Sequence, residues 1–89
     1  VRKSPNKARV QNNLGFAYWS KGLTGMAMEH LQIALRLNPD FALAHNNLGR
    51  IYLQKGDIEK ARREFEMALR ISPHDYEAQQ YLNHISTLK

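Results

Sequence analysis

The sequence predicts an all-α solenoid of two helix–turn–helix units followed by one C-terminal capping helix. Three observations lead there. Pro5, Pro39 and Pro73 recur at a fixed interval of 34 residues, a period typical of arrays in which each unit buries its apolar face against its neighbours. Residues 8–41 overlay on 42–75 without gaps, pairing Asn12 with Asn46, Asn13 with Asn47, Gly15 with Gly49, Tyr18 with Tyr52, Gly22 with Gly56 and Ala27 with Ala61. Apolar residues recur at helical spacing, and no alternating pattern of the kind that marks a strand appears. The matched residues are small, apolar or turn-forming, so the units share packing rather than a reactive site.

The first seven residues align with 35–41 and 69–75 and are expected to be the tail of an upstream unit's second helix, the chain being read as cut from a longer array. The first unit spans 8–41. Gln11, Leu14, Gly15 and Tyr18 fall at i, i+3, i+4 and i+7 and line one face of a helix over about 8–20. Gly22 is placed to end it as a left-handed cap, and Thr24 is the candidate N-cap of a second helix over about 24–37. That second helix carries Ala27, Leu31, Ala34 and Leu35 on its apolar face.

The second unit, 42–75, repeats the scheme. His45, Leu48, Gly49 and Tyr52 mark a helix over about 42–54, Gly56 its end, Asp57 the next N-cap, and Ala61, Phe65, Ala68 and Leu69 a helix over about 58–71. Gly15 and Gly49 lie mid-helix, where glycine costs about 1 kcal/mol relative to alanine. Close approach of Leu31 and Phe65 is the expected reason. Residues 76–89 give one more helix, with Leu82 and Ile85 packing back and Gln79, Asn83 and Ser86 on the opposite face, as a terminal cap requires.

The formal charge is +5, from thirteen basic and eight acidic residues. Arg2, Lys3, Lys7 and Arg9 cluster at the start, and Arg36, Lys60, Arg62, Arg63 and Arg70 lie largely on second helices, interleaved with Glu59, Glu64 and Glu66, the pattern of a solvated face plus a cut terminus rather than of a nucleic-acid site. There is no cysteine, no apolar run near the roughly 20 residues that span a bilayer, and no targeting signal from which a compartment can be read. His30, His45, His74 and His84 show no metal-ligand spacing, and His45 reads as a partly buried structural residue. No phosphate-binding loop is present, and Glu64 and Glu66 diverge on their helix. No cofactor, metal or catalytic residue is expected.

The pattern Leu-Gly-x-x-Tyr, then Gly, then Ala-x-x-x-Leu/Phe-x-x-Ala-Leu, then Pro stands at Leu14 to Pro39 and again at Leu48 to Pro73. In this the chain resembles the tetratricopeptide repeat family over residues 8–75. One departure is Gln11 or His45 where the family often has a large residue. The resemblance implies a right-handed superhelix of antiparallel helix pairs, a concave groove that takes peptides or protein surfaces, and no catalysis.

In that fold the first helices line the groove. The positions concerned are Arg9, Asn12, Asn13, Phe16 and Trp19 in the first unit, Leu43, Asn46, Asn47, Arg50 and Gln54 in the second, and Glu77, Gln80, Tyr81 and His84 in the cap. Asn13 and Asn47, one repeat apart, could form a ladder of amides for a peptide backbone or could stabilise their own helices. Some family members grip an acidic C-terminus with basic residues on successive first helices. Here those places hold Asn12, Phe16, Glu77 and Tyr81, so such a clamp is not expected.

The leading functional expectation is a non-catalytic interaction module, a scaffold whose groove holds a protein or peptide segment. The alternative is a self-associating structural segment, with Val10, Leu14 and Ala17 forming an apolar strip on the first helix. Nucleic acid ranks below both, since Arg9 and Arg50 are the only groove cations. No membrane contact is expected from this segment.

Overall fold

The computed structural model describes residues 5–88. Five helices follow one another in these residues with no strand among them: α1 (Pro5–Ser20), α2 (Thr24–Leu37), α3 (Ala42–Lys55), α4 (Ile58–Ile71) and α5 (Tyr76–Ser86). Helix α1 packs on α2, α2 on α3, α3 on α4 and α4 on α5, so the chain is built from nearest-neighbour contacts.

Helix α1 starts three residues earlier than expected. Residues 1–4 of the expected upstream tail lie outside the described residues, and Pro5, Asn6 and Lys7 form the first turn of α1 instead. A proline suits that turn because the first helical N–H groups have no intrahelical acceptor to lose.

Gly22 and Gly56 end α1 and α3 with φ of 82° and 84°, left-handed values that only glycine adopts without strain. In each turn the following residue closes the helix. Leu23 N–H donates to the Tyr18 carbonyl at 2.9 Å and Asp57 N–H to the Tyr52 carbonyl at 2.8 Å, the six-residue bond of a Schellman motif. This shared register corrects the expected caps. Leu23, the counterpart of Asp57, takes the N-cap position of α2, so Thr24 is already helical. Asp57 takes that position in α4, but its side chain makes no cap bond and instead stands 3.8 Å from Lys60 Nζ. Asp75 does cap: its Oδ1 accepts from Ala78 N–H at 3.0 Å at the start of α5.

The mid-helix glycines are sockets. A Cβ on Gly49 would lie 2.7 Å from Phe65 Cζ, and one on Gly15 would lie 2.8 Å from Leu31 Cγ. Leu31 and Phe65 are thus drawn against the backbone of the paired helix, and both are fully buried. One apolar cluster gathers Ala27, Leu31, Ala34, Ala44, Leu48 and Ile51 between the units. A second gathers Ala61, Phe65, Ala68, Ala78 and Ile85 under the cap, with Leu82 against it. Tyr52 touches both clusters. Gln79, Asn83 and Ser86 stay exposed on the far side of α5, the polar outer face expected there.

A polar tie stands at equivalent places in both units. His30 Nδ1 lies 2.7 Å from Gln11 Oε1 across α1 and α2, and the His30 ring stacks on Tyr18 with centroids 5.2 Å apart. In the second unit the histidine has moved to the other helix, with His45 on α3 facing Glu64 on α4.

Candidate functional site

The first helix of each unit and the cap helix lie side by side, and their shared face carries a cleft of about 410 Å³. Its lining comes from all three: Asn12, Asn13 and Phe16 on α1, Leu43, Asn47 and Arg50 on α3, and Glu77 on α5. Each of these is a residue that the repeat register assigns to the groove.

The floor is polar and closed. Asn47 Nδ2 donates to Asn12 Oδ1 at 3.0 Å, and these side chains are 4% and 2% exposed. Asn13 is exposed at the rim and Asn47 is held in a buried amide pair with Asn12, so the two asparagines, left open in sequence between a ladder and a helix-stabilising role, do not act as an equivalent pair. The physical reason is the helical angle. Asn12 and Asn47 point into the seam between α1 and α3, whereas Asn13 is turned a further 100° or so toward solvent. Phe16 and Leu43 flank this floor and are 44% and 47% exposed, so the cleft presents apolar area beside its amides.

The charged groups of the lining are Arg50 and Glu77. Arg50 Nη1 stands 3.7 Å from Glu77 Oε2, and the guanidinium carbon lies 4.9 Å from the centre of the Trp19 ring. Trp19 meets Phe16 edge to face at 6.2 Å and donates its indole N–H to Gln54 Oε1 at 2.7 Å. Trp19 therefore serves as a half-buried bridge from α1 to α3 beside the cleft rather than as part of its lining.

Other groove candidates are engaged elsewhere. Asn46 is buried, and its Nδ2 donates to Asp75 Oδ2 at 2.8 Å, which ties α3 to the cap of α5. Tyr81 stacks on Phe65 with ring centroids 4.7 Å apart and an interplanar angle of 9°, as part of the second apolar cluster. Arg9, Gln80 and His84 are exposed and do not line the cleft. The Asn46 and Tyr81 roles were hidden in the sequence because their partners, Asp75 and Phe65, lie in other elements.

The electrostatics of the second unit centre on His45. Its Nδ1 stands 2.8 Å from Glu64 Oε1 and its Nε2 lies 3.1 Å from the Pro39 carbonyl oxygen. Burial works against the imidazolium, but the Glu64 hydrogen bond, the Pro39 carbonyl and the negative charges of Glu64 and Asp40 together outweigh it, so the pKa is raised. Among the described residues no group of three histidine, aspartate or glutamate side chains could hold a metal ion, and no helix is long and apolar enough to cross a membrane.

Comparison with known proteins bears on the whole architecture. A family model described as tetratricopeptide repeat matches residues 17–76. The chain belongs to the tetratricopeptide repeat family. Among solved structures, the first tetratricopeptide domain of Spaghetti (RPAP3), bound to an HSP90 peptide SRMEEVD, superposes with a TM-score of 0.85 at 24% identity, covering 94% of this chain and 67% of that one. The Cut9–Hcn1 hetero-tetramer of the APC/C matches with a TM-score of 0.88 at 26% identity, over 98% of this chain and 16% of the other. The solution structure of the first tetratricopeptide domain of human RPAP3 matches at 0.66 and 19% identity, over 94% and 93%. A search of curated proteins finds no match. The resemblance read from the repeat pattern thus holds, and the all-α tetratricopeptide solenoid with it.

Proposed function

We propose that the chain is a non-catalytic interaction module that takes a protein or peptide segment in the cleft formed by α1, α3 and α5. The observation that carries this reading is the convergence of three successive first helices on one cleft, with Phe16 and Leu43 exposed over an amide floor. Exposed apolar side chains gathered in a concavity with a few polar groups are the usual composition of a binding site. The fold neighbour that holds a heptapeptide supports a peptide as occupant. The test is selection of binding peptides from a displayed random library, followed by Phe16→Ala and Asn13→Ala. Each variant is expected to weaken the selected peptide about tenfold, the loss of about 1.4 kcal/mol, with the helical signal unchanged. Mapping of the peptide onto Arg62, Arg63 and Arg70 of α4 would overturn the reading.

A second reading has its own observation. Val10 is 55% and Leu14 is 38% exposed on α1, with Ala17 also exposed. A shallow, mainly apolar hollow of about 270 Å³ lies between α1 and the end of α2, lined by Asn6, Lys7, Val10, Gln11 and Leu37. Association of two copies through this strip would cover it. Sedimentation at rising concentration tests it, with Val10→Lys expected to abolish any dimer. A chain that stays monomeric throughout excludes it.

A further inference from the structure

We infer that Glu77 sets the charge preference of the cleft, so that the segment it takes is uncharged where it lies in the cleft and presents an apolar side chain. The inference rests on the cleft being the binding site proposed above.

The two charged side chains of the lining, Arg50 and Glu77, are of opposite sign and already face each other at 3.7 Å. Arg50 is engaged a second time, since its guanidinium carbon lies 4.9 Å from the Trp19 ring centre. An incoming carboxylate would have to part Arg50 from Glu77 and then sit beside the freed Glu77 charge. Like charges brought together at short range cost binding energy in a partly dehydrated cleft, and that cost grows as water is displaced. An incoming lysine or arginine meets the same obstacle from Arg50. The cleft therefore offers no net charge to a ligand of either sign.

What it does offer is apolar area on two walls. Phe16 and Leu43 come from adjacent units and are both about half exposed, with the Asn12–Asn47 pair beneath them already hydrogen-bonded to each other. An aliphatic side chain placed between Phe16 and Leu43 gains apolar contact and asks for no charge on the floor. Selectivity then arises as much from rejecting charged segments as from attracting apolar ones.

The experiment uses two peptides and the sole tryptophan as reporter. Trp19 is the only tryptophan of the chain, and Arg50 stacks on it, so displacement of Arg50 changes its fluorescence. The first peptide is SRMEEVD with a free C-terminus. The second has an acetylated start, glutamine for the arginine and for each glutamate, asparagine for the aspartate and an amidated end, so the apolar Met and Val are kept while every charge is removed. The wild type is expected to bind the second peptide about fivefold or more tightly than the first, and Glu77→Gln to bring the two within about twofold by raising affinity for the acidic one. That gain should disappear in the double variant Arg50→Gln/Glu77→Gln and should weaken with salt. Equal affinities in the wild type, an unchanged ratio in Glu77→Gln, or binding of neither peptide by either form overturns the charge preference. The last outcome leaves the cleft itself to be judged by the library selection described above.

Discussion

His45 on α3 reaches Glu64 on α4 at 2.8 Å with one ring nitrogen and the Pro39 carbonyl at 3.1 Å with the other. A carboxylate and a carbonyl oxygen only accept hydrogen bonds, so both ring nitrogens must donate, and the ring is an imidazolium when both bonds are made. The bonds join the turn between the units to α3 and α4, which gives the second unit a proton-dependent clasp.

The sign of the pH effect follows from the raised pKa. A group that holds its proton more tightly when folded stabilises fully below its unfolded pKa, and that stability is lost as the pH rises through the folded value. The stability difference between wild type and His45→Gln should therefore be largest at a pH just below the ordinary histidine value of 6.5 and shrink as the solution is made alkaline. Urea unfolding of both proteins from about pH 5 to about pH 9 measures it. A difference that does not vary with pH would show that folding leaves the His45 pKa unchanged, and one that grows as the pH rises would show that the ring is neutral in the native state.

Gly49→Ala should destabilise although alanine is the better helix former by about 1 kcal/mol. The added methyl would meet Phe65 at 2.7 Å, and that ring is backed by Tyr81 at 4.7 Å and cannot withdraw without disturbing the stack. A net loss of about 1–3 kcal/mol is expected. Gly25→Ala is the control: it lies in α2 with open space around the added methyl, and a gain of about 0.5 kcal/mol is expected there. Thermal unfolding of the two variants should move in opposite directions.

Asn47→Ala should cost about 1–3 kcal/mol, because it strands the buried Asn12 carbonyl oxygen without its donor. Asn13→Ala, at an exposed position, should stay within about 0.5 kcal/mol of wild type. A double-mutant cycle between Asn12 and Asn47 should return a coupling of about 1 kcal/mol, and its absence would mean that the amide pair does not hold the seam. Asn47 is for the same reason a poor probe of ligand contact, whereas Asn13 is a clean one.

Asp75→Ala should cost about 1–2 kcal/mol, the loss of a working N-cap, and it also leaves Asn46 Nδ2 without its acceptor in a side chain whose Oδ1 already lacks a partner. Asp57→Ala should cost no more than a few tenths, since that side chain makes no cap bond. Equal losses at the two sites would sink this distinction.

The backbone of the fold was legible because its determinants are local and repeated. Gly22 and Gly56 mark turns by a conformation that few other residues adopt, and Gly15 and Gly49 mark sockets whose fillers, Leu31 and Phe65, stand at one fixed offset. The cleft was legible as a set of positions but not as a network. Asn12 and Asn13 look interchangeable in sequence, and only the angle of α1 against α3 decides which is buried. Thr24 and Asp57 looked like caps because their side chains are suited to it, yet the Schellman turns fix the register and leave Leu23 and Asp57 at the N-cap positions without a cap bond.

The Asn12–Asn47 bond and the contacts of Trp19 with Gln54 and Arg50 all cross from α1 to α3 along the cleft side of the molecule. The cleft side therefore also carries the polar contacts that join one unit to the next. The seam between the units and the lining of the cleft share the same side chains, so a change at Asn12 or Asn47 acts on both.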